Sequence, residues 1–141
     1  MSAQDNAVLA RRMYQLFSED KLDHVLEFVS EEAETILIPF GQTFHGRDGF
    51  RQFMLAFKEA FPDIRITVTN QVATEESVVT EFTARGTHNG PLITPAGTIP
   101  PTGRTVDFVV CEVWRLKNSQ MVSLRNYQDS ASILRQLGML S

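Results

Sequence analysis

The sequence lacks the residues that most small catalytic and binding domains rely on. Cys111 is the single cysteine in 141 residues, so no intrachain disulfide can form and no CxxC pair exists for zinc or redox chemistry. The three histidines, His24, His45 and His88, lie far apart in the chain, without metal-ligand spacing. There is no GxGxxG turn, no GxxxxGK[ST] loop, no GxSxG elbow and no HExxH helix, so neither a cofactor nor a metal is expected. Basic residues are scattered and the net charge is −4, which argues against nucleic acid as a partner. No apolar run approaches membrane-spanning length, and the N-terminus, MSAQDNAVLARRM, has no signal-peptide stretch. The expectation is a cytoplasmic chain without a membrane partner.

What is present is an ordinary apolar share of 43% and a charged share of 21%, enough for one domain over residues 1–141 with a real core. Leu9, Met13, Leu16 and Phe17 share a helical face within 3–18, and Leu22, Val25, Leu26 and Val29 repeat that spacing after Asp20. Thr35 to Ile38 reads as a short strand closed by Pro39, and Gly41, Gly46 and Gly49 mark a loop holding His45. Phe50, Phe53, Met54, Phe57 and Phe61 form one broad apolar stripe on a helix that Pro62 stops. From Asp63 the period changes to two. Strands are predicted from Ile64, over Val78 to His88, over Arg104 to Leu116 and over Met121 to Gln128. Between the second and third lies NGPLITPAGTIPPTG, with four prolines and three glycines in fifteen positions; so long a loop is functional or mobile. A helix over Ser130 to Leu137 ends at Gly138. Helices first and turn-linked strands after predict an α+β domain: a mostly antiparallel sheet covered by N-terminal helices, with a short C-terminal helix.

Alternation along the last strand puts Ser123, Arg125, Tyr127 and Asp129 on one face. A carboxylate, a guanidinium and a phenol converging there suit a small-molecule site, while Asp129 also suits the N-cap of the helix that follows. His88 shares parity with Phe82, Ala84 and Gly86, whose small members would leave open space beneath it; the alternative is a solvent-facing loop histidine. Asp107 and Glu112 stand an odd number of residues apart, so only one can enter a pocket without a bulge. Trp114 shares parity with Glu112, Val110 and Phe108.

The segments Phe61-Pro62-Asp63, Gly86-Thr87-His88-Asn89-Gly90, Pro101-Thr102-Gly103-Arg104, Tyr127-Gln128-Asp129 and Gln136-Leu137-Gly138 resemble, in order and spacing, the SnoaL-like polyketide cyclases of the nuclear-transport-factor-2-like and ketosteroid-isomerase-like superfamily. The resemblance implies a curved sheet wrapped into a cone around a hydrophobic pocket, and a homodimer across the outer sheet face. It also implies intramolecular aldol ring closure without cofactor or metal. By the same resemblance Asp129 would be the general acid/base and His88 an auxiliary. Ser123, Arg125 and Tyr127, with Phe53, Phe57, Phe82 and Trp114, would contact substrate. The chain departs from the family at Arg125, where many members carry tryptophan, and at Ser123, where many carry an acid. A cation on the face of Asp129 would lower its pKa and favour an anionic or enolate substrate. The expected function is cofactor-free acid/base chemistry, either aldol-type cyclisation or isomerisation, on a hydrophobic carbonyl compound. The alternative is a non-catalytic module for a hydrophobic ligand.

Overall fold

Apolar alternation decides which face of each strand is covered, and the long strands here alternate cleanly. A computed structural model describes residues 2–140. Its helices are α1 (Ala3–Ser18), α2 (Leu22–Leu26), α3 (Gly46–Ala60) and α4 (Ser130–Gln136). Its strands are β1 (Val29–Leu37), β2 (Gln42–His45), β3 (Arg65–Ala73), β4 (Ser77–Thr87), β5 (Leu92–Thr94), β6 (Gly97–Ile99), β7 (Thr105–Lys117) and β8 (Gln120–Gln128). Six strands form one sheet in the order β2-β1-β8-β7-β4-β3. All neighbours are antiparallel except β1 and β8. The sheet curves without closing, and α1 and α3 pack inside the curve to make the cone.

α1 starts on a capping box, Ser2 with Asp5, and buries Leu9, Met13, Leu16 and Phe17 as its spacing predicts. It buries Tyr14 as well. α3 turns Phe50, Phe53 and Met54 into the core, with Phe57 half-buried beside them. Lys58 on the same helix lies over the Phe17 ring at 4.5 Å and pairs with Asp20 at 2.9 Å, tying α3 to the α1–α2 turn.

The structure differs from the sequence expectation in four places. The second helix ends at Leu26, and Val29 opens a nine-residue strand instead. The glycine-marked loop contains β2, and α3 begins at Gly46, before the aromatic stripe. Pairing across the sheet stabilises these short β segments, which local pattern does not show. The proline-rich loop carries a small hairpin, β5 with β6.

The segments that carried the family resemblance interlock. Asp63 accepts from the Thr87 backbone N–H (2.7 Å) and hydroxyl (2.8 Å), which hold its carboxyl below the usual range. His88 N–H donates to Arg104 O and Gly103 N–H to His88 O, both at 2.8 Å. Arg104 donates to Gln136 O at 3.2 Å, and the Gln136 amide exchanges two hydrogen bonds with the Asp107 backbone, at 2.9 and 2.6 Å. Gly86 lies under Phe61, where a Cβ would come within 2.8 Å of the Phe61 Cβ. Gly90 is tighter still: an added Cβ would sit 1.7 Å from Glu59 O.

Because that overlap is with main chain, no side-chain adjustment relieves it. Gly90→Ala is expected to destabilise the fold by at least about 2 kcal/mol. Urea titration is the check, with Gly97→Ala, whose site has open space around it but a φ of 130°, as the milder comparison.

Candidate active site

In β7, Val106, Phe108, Val110, Glu112, Trp114 and Leu116 all point inward and are buried. Glu112 is the one charged residue in that row. It is 4% exposed and forms part of the wall of a cavity of about 50 Å³ inside the cone, with Met13, Phe53, Phe82, Phe108 and Val110 among its neighbours. Among the described residues, the groups that hydrogen-bond to the carboxylate are all neutral donors. The Tyr14 hydroxyl donates to Oε1 at 2.8 Å, the Trp114 indole to Oε1 at 3.3 Å and the Asn126 amide to Oε2 at 2.8 Å. Tyr14 also stacks obliquely on Phe82 and Trp114, at 5.0 and 5.3 Å between ring centroids.

Burial pushes the Glu112 pKa up, and the hydrogen bonds from Asn126, Tyr14 and Trp114 only partly offset it. Burial, and then the adjoining Glu112 charge, raise the Tyr14 phenol well above its ordinary value. A carboxyl raised above its usual range holds its proton to higher pH than an exposed carboxylate does.

The residues expected to converge on β8 point the other way. Leu124, Asn126 and Gln128 line the cavity, while Arg125 and Tyr127 are exposed on the convex face and Ser123 is half-buried there. The reason is one extra residue. From the hairpin outward Lys117 pairs with Gln120 and Leu116 with Met121, but Arg115 then pairs with Ser123. This bulge at Val122 inverts the parity of the rest of the strand. Asp129 is exposed beyond it, and its Oδ1 accepts from Ser132 N–H at 3.1 Å as the N-cap of α4. Arg125 lies between Val113 and Ile36 in register.

His88 shares the inner face of β4 as its parity predicts, but Phe61 fills the space beneath it, with ring centroids 5.7 Å apart. It is fully buried outside the cavity wall. Thr102 N–H donates to its Nδ1 at 3.1 Å, so the neutral ring carries its proton on Nε2. Burial lowers its pKa, with the Ile99 carbonyl opposing. Phe53, Phe57, Phe82 and Trp114 do line the cavity. Asp107 faces out and pairs with Arg85 at 2.9 Å, which leaves Glu112 as the carboxylate that enters. The sequence reading missed Tyr14 and Asn126 and left Glu112 open against Asp107. The usable signal was Glu112 itself, alone among large apolar residues of one parity.

The model of the SnoaL-like polyketide cyclase family matches residues 7–137. The chain belongs to this family. No curated protein matches it at a significant level. Among solved structures, IdmH of Streptomyces antibioticus, described as a polyketide cyclase, is 27% identical with a TM-score of 0.77, over 94% of this chain and 97% of that one. TsrD of Streptomyces laurentii is 18% identical with a TM-score of 0.85, over 99% of each chain. A Catenulispora acidiphila protein with a ketosteroid-isomerase-like fold, solved with trimethylamine, is 14% identical with a TM-score of 0.77, over 94% and 93%. Membership accounts for the cone. Among the described residues, no helix is long and apolar enough to cross a membrane.

Glu112 makes stability depend on pH in a defined direction. Its folded pKa lies above the ordinary 4.5, so its contribution is complete below that value and is lost as pH rises through the raised one. Glu112→Gln is therefore expected to gain stability relative to the unmodified chain as pH increases from about 4.5. Denaturation midpoints of both proteins across that range check it; parallel curves would mean the carboxyl is not perturbed.

Proposed function

We propose that this SnoaL-like domain catalyses cofactor-free acid/base chemistry on a hydrophobic carbonyl compound, with Glu112 as the proton-handling group. One observation carries the proposal: a buried carboxylate facing an apolar cavity and held only by neutral donors. Ionised, Glu112 takes a proton from the carbon next to the substrate carbonyl, and the C–H electron pair moves onto the carbonyl oxygen as an enolate. In an aldol-type closure the enolate carbon bonds to a second carbonyl carbon of the same molecule. The new alkoxide then recovers the proton from Glu112. In an isomerisation the proton returns at a different carbon. Atoms and electrons balance within substrate and carboxyl. Tyr14 and Asn126 orient the carboxylate and stabilise its charged form.

Asp129 and His88 enter this scheme as structural residues, one capping α4 and one joining the loop to β4. The convex face supports the homodimer that the family resemblance implies. Val109 and Tyr127 are exposed there, beside half-buried Val113 and Cys111, an apolar surface for a second copy to cover. Sedimentation of Val109→Glu against the unmodified chain tests that part, with a shift to monomer expected.

Exchange of the α-protons of 2-tetralone in heavy water, followed by proton NMR, tests the chemistry without the natural substrate. The unmodified protein is expected to accelerate exchange, Glu112→Gln to lose at least about 100-fold of that acceleration, and Asp129→Asn to keep most of it. Full exchange by Glu112→Gln would remove Glu112 from the mechanism. No acceleration by any form would favour the ligand-binding module.

A further inference from the structure

The inner cavity of about 50 Å³ is well below the roughly 300 Å³ at which small-molecule sites begin. A second cleft of about 350 Å³ lies between α3, β5 and α4. Three residues belong to the walls of both: Phe53, Phe57 and Gln128. The two phenylalanines meet edge to face, 5.3 Å between centroids, so together with Gln128 they form a partition rather than a solid core.

Two amide oxygens in and beside this partition are left without a partner. Asn126 gives one amide N–H to Glu112 Oε2 at 2.8 Å, and Gln128 gives one to Ser130 Oγ at 3.1 Å. The carboxylate can only accept, which fixes the orientation of the Asn126 amide. In both side chains the carbonyl oxygen remains, buried and without a partner. Asn126 is 2% and Gln128 8% exposed. Such an oxygen is costly to leave unpaired, so a ligand that donates to it is favoured over one that does not. Among the described residues, no lysine or arginine lines either chamber, and the charged lining groups are Glu59 outside and Glu112 inside. An anionic ligand has nothing there to pair with.

We propose that the two chambers form one binding site selective for a neutral, hydroxyl-bearing molecule with an apolar body, and that Gln128 is its specificity-determining residue. The apolar body lies in the outer cleft against α3 and α4. A hydroxyl donates to Gln128 Oε1 at the partition, and the reacting end passes Phe53 and Phe57 to reach Asn126 and Glu112. This replaces the anionic substrate that Arg125 suggested. It rests on Glu112 marking the reacting end, but its binding preference is measured without turnover, so it can fail or stand separately from the catalytic proposal.

The test is calorimetric titration at neutral pH with 2-naphthol and with its methyl ether, which keeps the ring system and loses the donor. The unmodified protein is expected to prefer 2-naphthol by about tenfold, the worth of one satisfied hydrogen bond. Gln128→Met is expected to bring the two affinities within twofold, and Ala56→Trp, filling the outer cleft, to weaken both at least tenfold. If Gln128→Met fails to fold, Ser130→Ala is the substitute. It releases the Gln128 amide to present either end, so the preference should again shrink. Phe57→Ala should at least double acrylamide quenching of Trp114, the chain's single tryptophan, by opening the partition. Equal affinities in the unmodified protein, no binding by it, or a preference surviving Gln128→Met or its substitute would overturn the assignment. So would unaltered binding by Ala56→Trp, or unchanged quenching in Phe57→Ala.

Discussion

The register of β8 against β7 is the constraint on which the site depends. Continued without the bulge at Val122, the hairpin pairing of Lys117 with Gln120 would set Arg125 opposite Glu112. A guanidinium beside the buried carboxylate would form an ion pair and hold its pKa down. With the extra residue, Asn126 stands opposite Glu112, and a neutral amide takes the guanidinium's place. The same shift turns Arg125 and Tyr127 to the convex face and brings Leu124 and Gln128 into the cone. One inserted residue thus decides the electrostatics of the cavity and the character of the outer sheet face.

A carboxylate this deep is unfavourable unless its lone pairs are engaged. Three elements supply the donors: α1 through Tyr14, β7 through Trp114, and β8 through Asn126. The cluster therefore ties the first helix to the last two strands, 98 residues apart in the case of Tyr14 and Glu112. Its remaining stress shows as the raised pKa of the carboxyl. That costs stability as pH rises, and it is the feature on which the proposed proton transfer rests.

The segments that reveal the family lie elsewhere. Asp63, Thr87, His88, Gly90, Arg104, Gln136 and Gly138 form a belt around the end of the sheet that anchors the β5–β6 hairpin and α4. Those are the elements that, with α3, wall the outer cleft. The belt keeps the cone and its mouth in shape. The motifs that carry the family likeness hold the scaffold, and Asp129 among them caps α4.

Local pattern by itself determined the α+β class, the aromatic stripe of α3, the four long strands, and the shared parity of Glu112 and Trp114, but not which of Asp107 and Glu112 faces inward. Those features depend on neighbours a few residues away, where period two or 3.6 is decisive. It also marked Asp129 as a candidate cap, and the structure shows that cap. Tertiary structure decided the rest. The bulge at Val122 leaves no mark in composition or turn residues, because it is stabilised by pairing across to β7. Strands β1 and β2 exist because β8 offers an edge to β1. Tyr14 became part of the site only when α1 was laid against β7, and His88 became a buried strut only when Phe61 was packed beneath it. Each of these outcomes is set by which residues meet across the fold, and that is information a single alternating strand does not contain.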